Sequence, residues 1–241
     1  NINSLAYMPN IDRIGIEGMG DLVRFSAGQA IGAFYGYQME GVDPQTGNII
    51  YADIDGDGVK NTGLNGDIFD VGDRTFIGDP NPDFTFGFNN NFTYKNWYMD
   101  VLFTGSYGND IYNASRFELE LMNDFKNQST VVLDRWTTAG QITNVPRANS
   151  SSAMAISDRF IEDGSFIKLK AATLGYNFNN PFKGLNKLNV YVTGQNLVTW
   201  TDYTGFDPEV NAFATTNGVL GIDYGTYPQV RTVIFGLKAN F

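Results

Sequence analysis

The 241-residue chain has no cysteine and no histidine. The first absence removes disulfides, thiol nucleophiles and thiolate metal sites. The second removes the usual general base, the Ser-His-Asp triad and imidazole ligands. No run of about 18 apolar residues occurs, so no helix spans a membrane. Charged residues are scarce at 17%, and the net charge is −10. With no cluster of Lys or Arg, nucleic-acid binding is not expected. There is no internal repeat and no low-complexity tract. The chain opens Asn1-Ile2-Asn3-Ser4, without Met or a signal peptide, and reads as a piece of a longer precursor.

Aromatic residues and glycine are plentiful, at 15% and 27 residues. A mean hydropathy of −0.22 looks soluble. A β-barrel wall gives the same average, because lumen-facing and lipid-facing residues alternate and cancel. The last eleven residues carry that alternation. Val233, Phe235, Leu237, Ala239 and Phe241 are apolar; Thr232, Gly236, Lys238 and Asn240 are not, and only Ile234 breaks the rhythm. Period two with a terminal aromatic predicts a strand in a barrel wall.

Four earlier segments predict similar strands. Phe84 to Tyr94 puts Phe84, Phe86, Phe88, Phe92 and Tyr94 on one face, and Thr85, Gly87, Asn89, Asn91 and Thr93 on the other. Lys95-Asn96 is a hairpin turn. Trp97 to Tyr107 returns with Trp97, Met99, Val101, Phe103 and Tyr107 in phase. Both have the roughly 9–11 residues that cross a bilayer on a tilt, with aromatics at their ends as in interfacial girdles. Ser165 to Phe178 alternates well in its second half. Lys168 and Lys170 share the phase of its apolar residues, so the first half either projects beyond the membrane or contains a bulge. A turn over Asn179 to Asn186 leads to the strand Lys187 to Trp200.

The connections alternate in length. Lys95-Asn96 and Asn179–Asn186 are short; Asn109–Gly164, Thr201–Gln229 and everything before Phe84 are long. This is the pattern of an outer-membrane barrel with short periplasmic turns and long extracellular loops. It places the C-terminus on the periplasmic side. The expected organisation is a long loop region over 1–83, then last strands and loops over 84–241. Five strands cannot close a barrel, and an open edge is not tolerated in lipid. Further strands from the rest of the protein are therefore required.

The strongest local chemical signal is Asp53-Ile54-Asp55-Gly56-Asp57-Gly58-Val59. Alternate carboxylates at Asp53, Asp55 and Asp57 converge on one hard cation, Gly58 allows the sharp turn, and the Val59 carbonyl is the next ligand. The position that normally carries the closing acid is Leu64. Residues 60–69 read as an insertion that brings Asp73 or Asp67 back to the site. The expected cofactor is calcium or another hard divalent ion in a structural role, against a solvated acidic turn.

Asp207 and Glu209 in Phe206-Asp-Pro-Glu-Val210, and Glu162-Asp163, are the carboxylates to test for glycosidase chemistry. Spacing alone does not make them a pair. Asp207-Pro208 reads better as a turn capped by its own Asp, and no enzyme is expected. Ser115 to Met122 is a helix candidate, and Val131 to Trp136 a second helical turn. In the other long loop, Trp200, Tyr203, Phe206, Tyr224 and Tyr227 are candidates for stacking on a substrate or partner. Their alternative role is the loop's own small core.

An ordered series of motifs resembles the C-terminal region of SusC-like (SusC/RagA) TonB-dependent transporters of Bacteroidetes. It runs from about Ile31 to the end. It includes Asp53-Ile-Asp-Gly-Asp-Gly58, Asp73-Arg-Thr-Phe-Ile-Gly-Asp-Pro-Asn-Pro-Asp-Phe-Thr-Phe-Gly-Phe88 and Gly105-Ser-Tyr-Gly-Asn-Asp-Ile-Tyr-Asn113. Asp134-Arg-Trp-Thr137, Ile161-Glu-Asp-Gly-Ser-Phe-Ile-Lys-Leu-Lys170, Gly194-Gln-Asn-Leu197 and Tyr203-Thr-Gly-Phe-Asp-Pro-Glu209 follow. The resemblance implies an all-β fold: about five strands, with long extracellular loops, of a 22-stranded antiparallel transmembrane barrel. It implies import of oligosaccharides or peptides across the outer membrane of a Gram-negative bacterium. The implied partners are the N-terminal barrel and plug, TonB reached through that part, a SusD-type surface lipoprotein and outer-membrane lipid. It also implies that Asp73-Arg74 closes the acidic loop, with more residues intervening than is usual. The alternative is a secreted, calcium-stabilised β-sandwich acting as an adhesin or glycan-binding module. A sandwich buries Phe84, Phe86, Phe88, Phe103 and Phe235 against a second sheet; a barrel exposes them.

Overall fold

The computed structural model describes residues 13–16, 20–56, 58, 72–123, 125–148, 154–213 and 218–241. In chain order these form β1 (Arg13–Ile16), β2 (Gly20–Arg24), β3 (Phe34–Tyr37), β4 (Met39–Val42), β5 (Ile49–Tyr51), β6 (Arg74–Gly78), β7 (Phe84–Tyr94) and β8 (Trp97–Tyr107). There follow β9 (Asp110–Asn113), α1 (Ala114–Glu120), a 3-10 turn at Thr130–Asp134, β10 (Ile161–Asp163), β11 (Phe166–Phe182), β12 (Leu185–Thr201), β13 (Ile222–Asp223) and β14 (Thr232–Asn240).

The chain divides into two compact units, each discontinuous in sequence. One comprises Pro82–Asn109, Asp163–Glu209 and Tyr227–Phe241; the other comprises Asn1–Asn81, Asp110–Glu162 and Val210–Thr226.

The first unit is one antiparallel sheet in the order β7-β8-β11-β12-β14. The two-residue turns Lys95-Asn96 and Lys183-Gly184 join its hairpins. Lys95 has φ 55° and Gly184 φ 90°, the left-handed region that such tight turns use. Asn240 pairs with Lys187, so the end of β14 lies at the edge of the sheet that holds the two short turns. The long connections, β8 to β11 and β12 to β14, leave from the opposite edge.

Antiparallel partners share a face, and the register therefore sorts every side chain. Phe84, Phe86, Phe88, Phe92 and Tyr94 pair with Tyr107, Gly105, Phe103, Met99 and Trp97. On β11, Ile167, Leu169, Ala172, Leu174 and Tyr176 pair into the same face. Val190, Val192, Val198 and Trp200 of β12 join it, as do Val233, Phe235, Leu237 and Ala239 of β14. That face is predominantly apolar across all five strands, with Asn90 and, at the turn end of β12, Asn186 as exceptions. The other carries Thr85, Asn89, Asn91, Asp100, Thr104, Thr173, Asn177, Asn189, Thr193 and Gln195. Phe84, Phe86 and Phe88 are exposed, Phe235 is 82% exposed, and Phe103 is half-buried. The sandwich alternative required these rings beneath a second sheet, and it is overturned.

One expected alternative and two differences from the expected strands have local causes. Of the two readings of the first half of β11, the bulge holds: the register shifts between Leu169 and Ala171 against both neighbours, at Lys170. Side-chain parity flips there, and Lys168 moves to the polar face. The expected turn over Asn179–Asn186 is shorter, because β11 continues to Phe182 through a second irregularity. Asn180 takes φ 48° there, which lets Pro181 stay in the strand at a bulge. The long connections are not bare loops, since they supply β9, α1, β10 and β13 to the second unit.

That second unit contains a four-stranded sheet β1-β2-β3-β6, the β4-β5 hairpin and the set β10-β9-β13. Its core gathers Leu22, Phe34, Tyr112, Met154, Phe160 and Ile222. The helix expected at Ser115–Met122 is α1, capped by Asn113, whose side-chain oxygen accepts the Arg116 N–H at 2.9 Å. The helical turn expected at Val131–Trp136 is the 3-10 turn.

Candidate functional site

The acidic loop brings Asp53, Asp55 and Asp73 together: one carboxylate oxygen from each lies within 4.8 Å of the others. Gly56 and Gly58 hold φ 77° and 76°, a conformation that wraps the backbone around Asp53. Asp53 accepts the Gly56 and Gly58 N–H groups at 2.8 and 2.9 Å. The buried Asp73 accepts the Ile54 N–H at 2.9 Å. Asp73 thus reaches the loop despite the residues between. Three converging carboxylates fit a hard, oxygen-preferring cation. Asp57 and Val59 lie outside the described residues.

The aromatic candidates separate. Trp200 pairs with Ile167 on the apolar face and stacks on Phe103 with ring centroids 6.5 Å apart. Its ring therefore lies on the apolar face of the sheet, apart from the polar face. Tyr203 is 5% exposed, and its ring covers Gly205, where a Cβ would sit 2.4 Å from it. Tyr203 therefore serves the loop's own packing. Phe206 and Tyr227 are 86% and 83% exposed, and Tyr224, in the other unit, is also exposed.

The feature hardest to read in the sequence is an ion cluster between β11 and the connection that follows β12. Lys168 is 1% exposed; its Nζ lies 2.9 Å from Asp207 Oδ1 and 2.5 Å from Glu209 Oε2. Lys170 meets Glu209 at 3.0 Å. Asp207 also accepts the N–H of Glu209 at 3.1 Å and of Gln229 at 3.0 Å. Burial, the largest single influence, pushes both acids up, and it is outweighed only by the lowering contacts taken together, the bond from Lys168 first among them. The backbone N–H groups at Asp207 and Lys170 at Glu209 add to the effect, and both acids end below the ordinary carboxylate range. The only outward signal was two lysines in an apolar phase and an Asp-Pro-Glu in a distant loop.

In the second unit, the buried Glu120 is held by Arg116 at 2.6 Å and Arg159 at 2.8 Å, and Glu162 by Arg116 at 3.2 Å. Sequence reading did not foresee this network. Asp207, Glu209 and Glu162 are thus all committed to ion pairs. With their pKa held low, Asp207 and Glu209 do not supply the protonated acid that glycoside hydrolysis needs.

No protein-family model matches the chain. TonB-dependent receptor P3 of Formosa agariphila is 39% identical over 269 residues, covering 100% of this chain and 26% of its own length. TonB-dependent receptor SusC of Bacteroides thetaiotaomicron is 29% identical over 253 residues, covering 98% of the chain and 22% of its own length. The chain therefore spans about a quarter of the curated relatives it matches. Among solved structures, the RagAB peptide importer superposes in its open-open state with TM-score 0.77 at 22% identity. In its closed-closed state the TM-score is 0.77 at 23% identity. Each covers 98% of this chain and 25% of the matched one.

Proposed function

Because the chain belongs to the SusC-like TonB-dependent outer-membrane transporters, we propose that it forms part of the wall and outer loops of an importer of oligomeric nutrients, peptides or oligosaccharides. One observation carries this reading: the five-stranded sheet has an exposed, predominantly apolar face and a polar face. The apolar face meets outer-membrane lipid and the polar face lines the import path. The edge with the two-residue turns is periplasmic, and the long connections are extracellular. The remaining strands of a 22-stranded barrel, its plug and the contact with TonB come from the rest of the protein. A SusD-type surface lipoprotein caps the extracellular side. Peptide cargo is favoured by the name of the RagAB relatives, and oligosaccharide remains the second class.

The test is purification of the intact protein from its native outer membrane without denaturant. Extraction only in detergent, with a lipoprotein and bound oligomer identified by mass spectrometry, is the expected result. A protein soluble without detergent would overturn the reading.

We further propose that Asp53, Asp55 and Asp73, with Asp57 and the Val59 carbonyl, hold calcium or another hard divalent ion in a structural role. Asp55→Asn is expected to weaken calcium binding by the intact transporter about tenfold or more, measured by calorimetry, while the barrel stays folded. Unchanged affinity would sink the metal assignment.

A further inference from the structure

Most of the polar face of the five-stranded sheet is open, yet Lys168 on that face is almost wholly buried. Its cross-strand partners are Thr104 and Thr199. The hydroxyl oxygen of Thr104 is also buried, without a hydrogen-bond partner. Both groups lie where an open sheet would leave them wet, so part of the same unit covers them. Asp207 and Glu209 are laid on the face there, through their bonds to Lys168.

The return stem is tied down as well. Gln229 donates its N–H to Asp207 Oδ2 at 3.0 Å. The Asn196 side chain, at the irregular step of β12, donates to the Val230 carbonyl at 3.1 Å. The exposed rings of Phe206 and Tyr227 sit one and two residues from these ties.

We infer that Lys168 is a positioning residue for import: its ion cluster folds both stems of the β12–β14 connection onto the polar face and so presents Phe206 and Tyr227 to the incoming oligomer. This rests on the polar face lining the import path. The ligand class is an oligomer with apolar faces, such as a peptide with apolar side chains, which packs on the two rings. The wall does not need the cluster, because the ladders of β11 with β8 and β12 run past Lys168 on both sides.

The test uses the intact transporter with Lys168→Met and Glu209→Gln, and a tryptic peptide digest of casein as the import probe. Hydrogen exchange at the Glu209 and Gln229 amides is expected to speed up about tenfold or more in Lys168→Met, with β11 and β12 unchanged. The half-saturating peptide concentration is expected to rise several-fold while the maximal import rate holds. Glu209→Gln leaves the Lys168–Asp207 bond in place and is expected to show the same pattern at smaller amplitude. It decides the matter if Lys168→Met fails to fold. Unchanged exchange overturns the inference, as does faster exchange with unaltered half-saturation, which would make the cluster purely structural. A wild-type transporter that takes up no peptide removes the peptide-import reading, and the inference with it. Wild-type uptake with unaltered variants removes the inference alone.

Discussion

At the scale of single residues, the polar face is built on close approaches between tyrosine and glycine. The ring of Tyr98 lies over Gly175, where a Cβ would come within 2.2 Å of it; Tyr191 covers Gly236 in the same way, at 2.1 Å. The Tyr98 hydroxyl donates to Asn189 Oδ1 at 3.1 Å, and Asn189 donates to Asn177 at 3.0 Å. Each ring shields a backbone stretch with no side chain of its own, and its hydroxyl remains in the polar layer. Gly175→Ala must push the Tyr98 ring off its seat. The expected loss is about 1–3 kcal/mol of barrel stability, read as a lower unfolding midpoint of the intact protein. Adding Tyr98→Ala to that variant should cost less than the two single losses summed, because the clash partner is gone.

At the scale of strands, the two faces should respond oppositely to charge. Val192 and Thr193 are adjacent, but Val192 pairs with Leu174 and Phe235 on the apolar face, and Thr193 with Thr173 and Ile234 across the polar one. Val192→Arg is expected to cost about 2–4 kcal/mol on insertion into lipid, and Thr193→Arg far less. Folding titrations in vesicles measure both. The connection after β12 has its own pH signature. Asp207 and Glu209 lie below their ordinary values of 3.8 and 4.5 in the folded protein. Their contribution is therefore complete above those ordinary values and is lost as pH falls through the lower folded ones. Exchange protection at the Gln229 amide, corrected for intrinsic rates, should stay flat from about pH 8 to 5 and fall below about pH 4.

At the scale of the whole molecule, the sheet is a wall with two open edges. Among the described residues, β7 pairs only with β8 and β14 only with β12. Unpaired backbone groups are not tolerated in hydrocarbon, so residues 1–241 alone should not insert stably into vesicles. Supplying the rest of the transporter in the same refolding mixture should restore a folded barrel, seen as heat-modifiable migration on a gel. Stable insertion of the segment alone would contradict this account.

Strands whose alternation is unbroken are specified by local pattern. Phe84–Tyr94 and Trp97–Tyr107 were legible to the residue, because period two places every side chain and Lys95-Asn96 ends it. The sequence also carried the family motifs and the acidic loop, since both are local patterns. Tertiary structure alone decided what depends on partners far away in the chain. The bulge at Lys170 flips parity and turns Lys168 from an apparent defect into the anchor for Asp207 and Glu209, 39 and 41 residues on. Register, not composition, put Trp200 on the apolar face, and packing buried Tyr203. Periodicity reports which side of a strand a residue takes only while the ladder is regular. Which group covers that side is set by chain segments that no local pattern specifies.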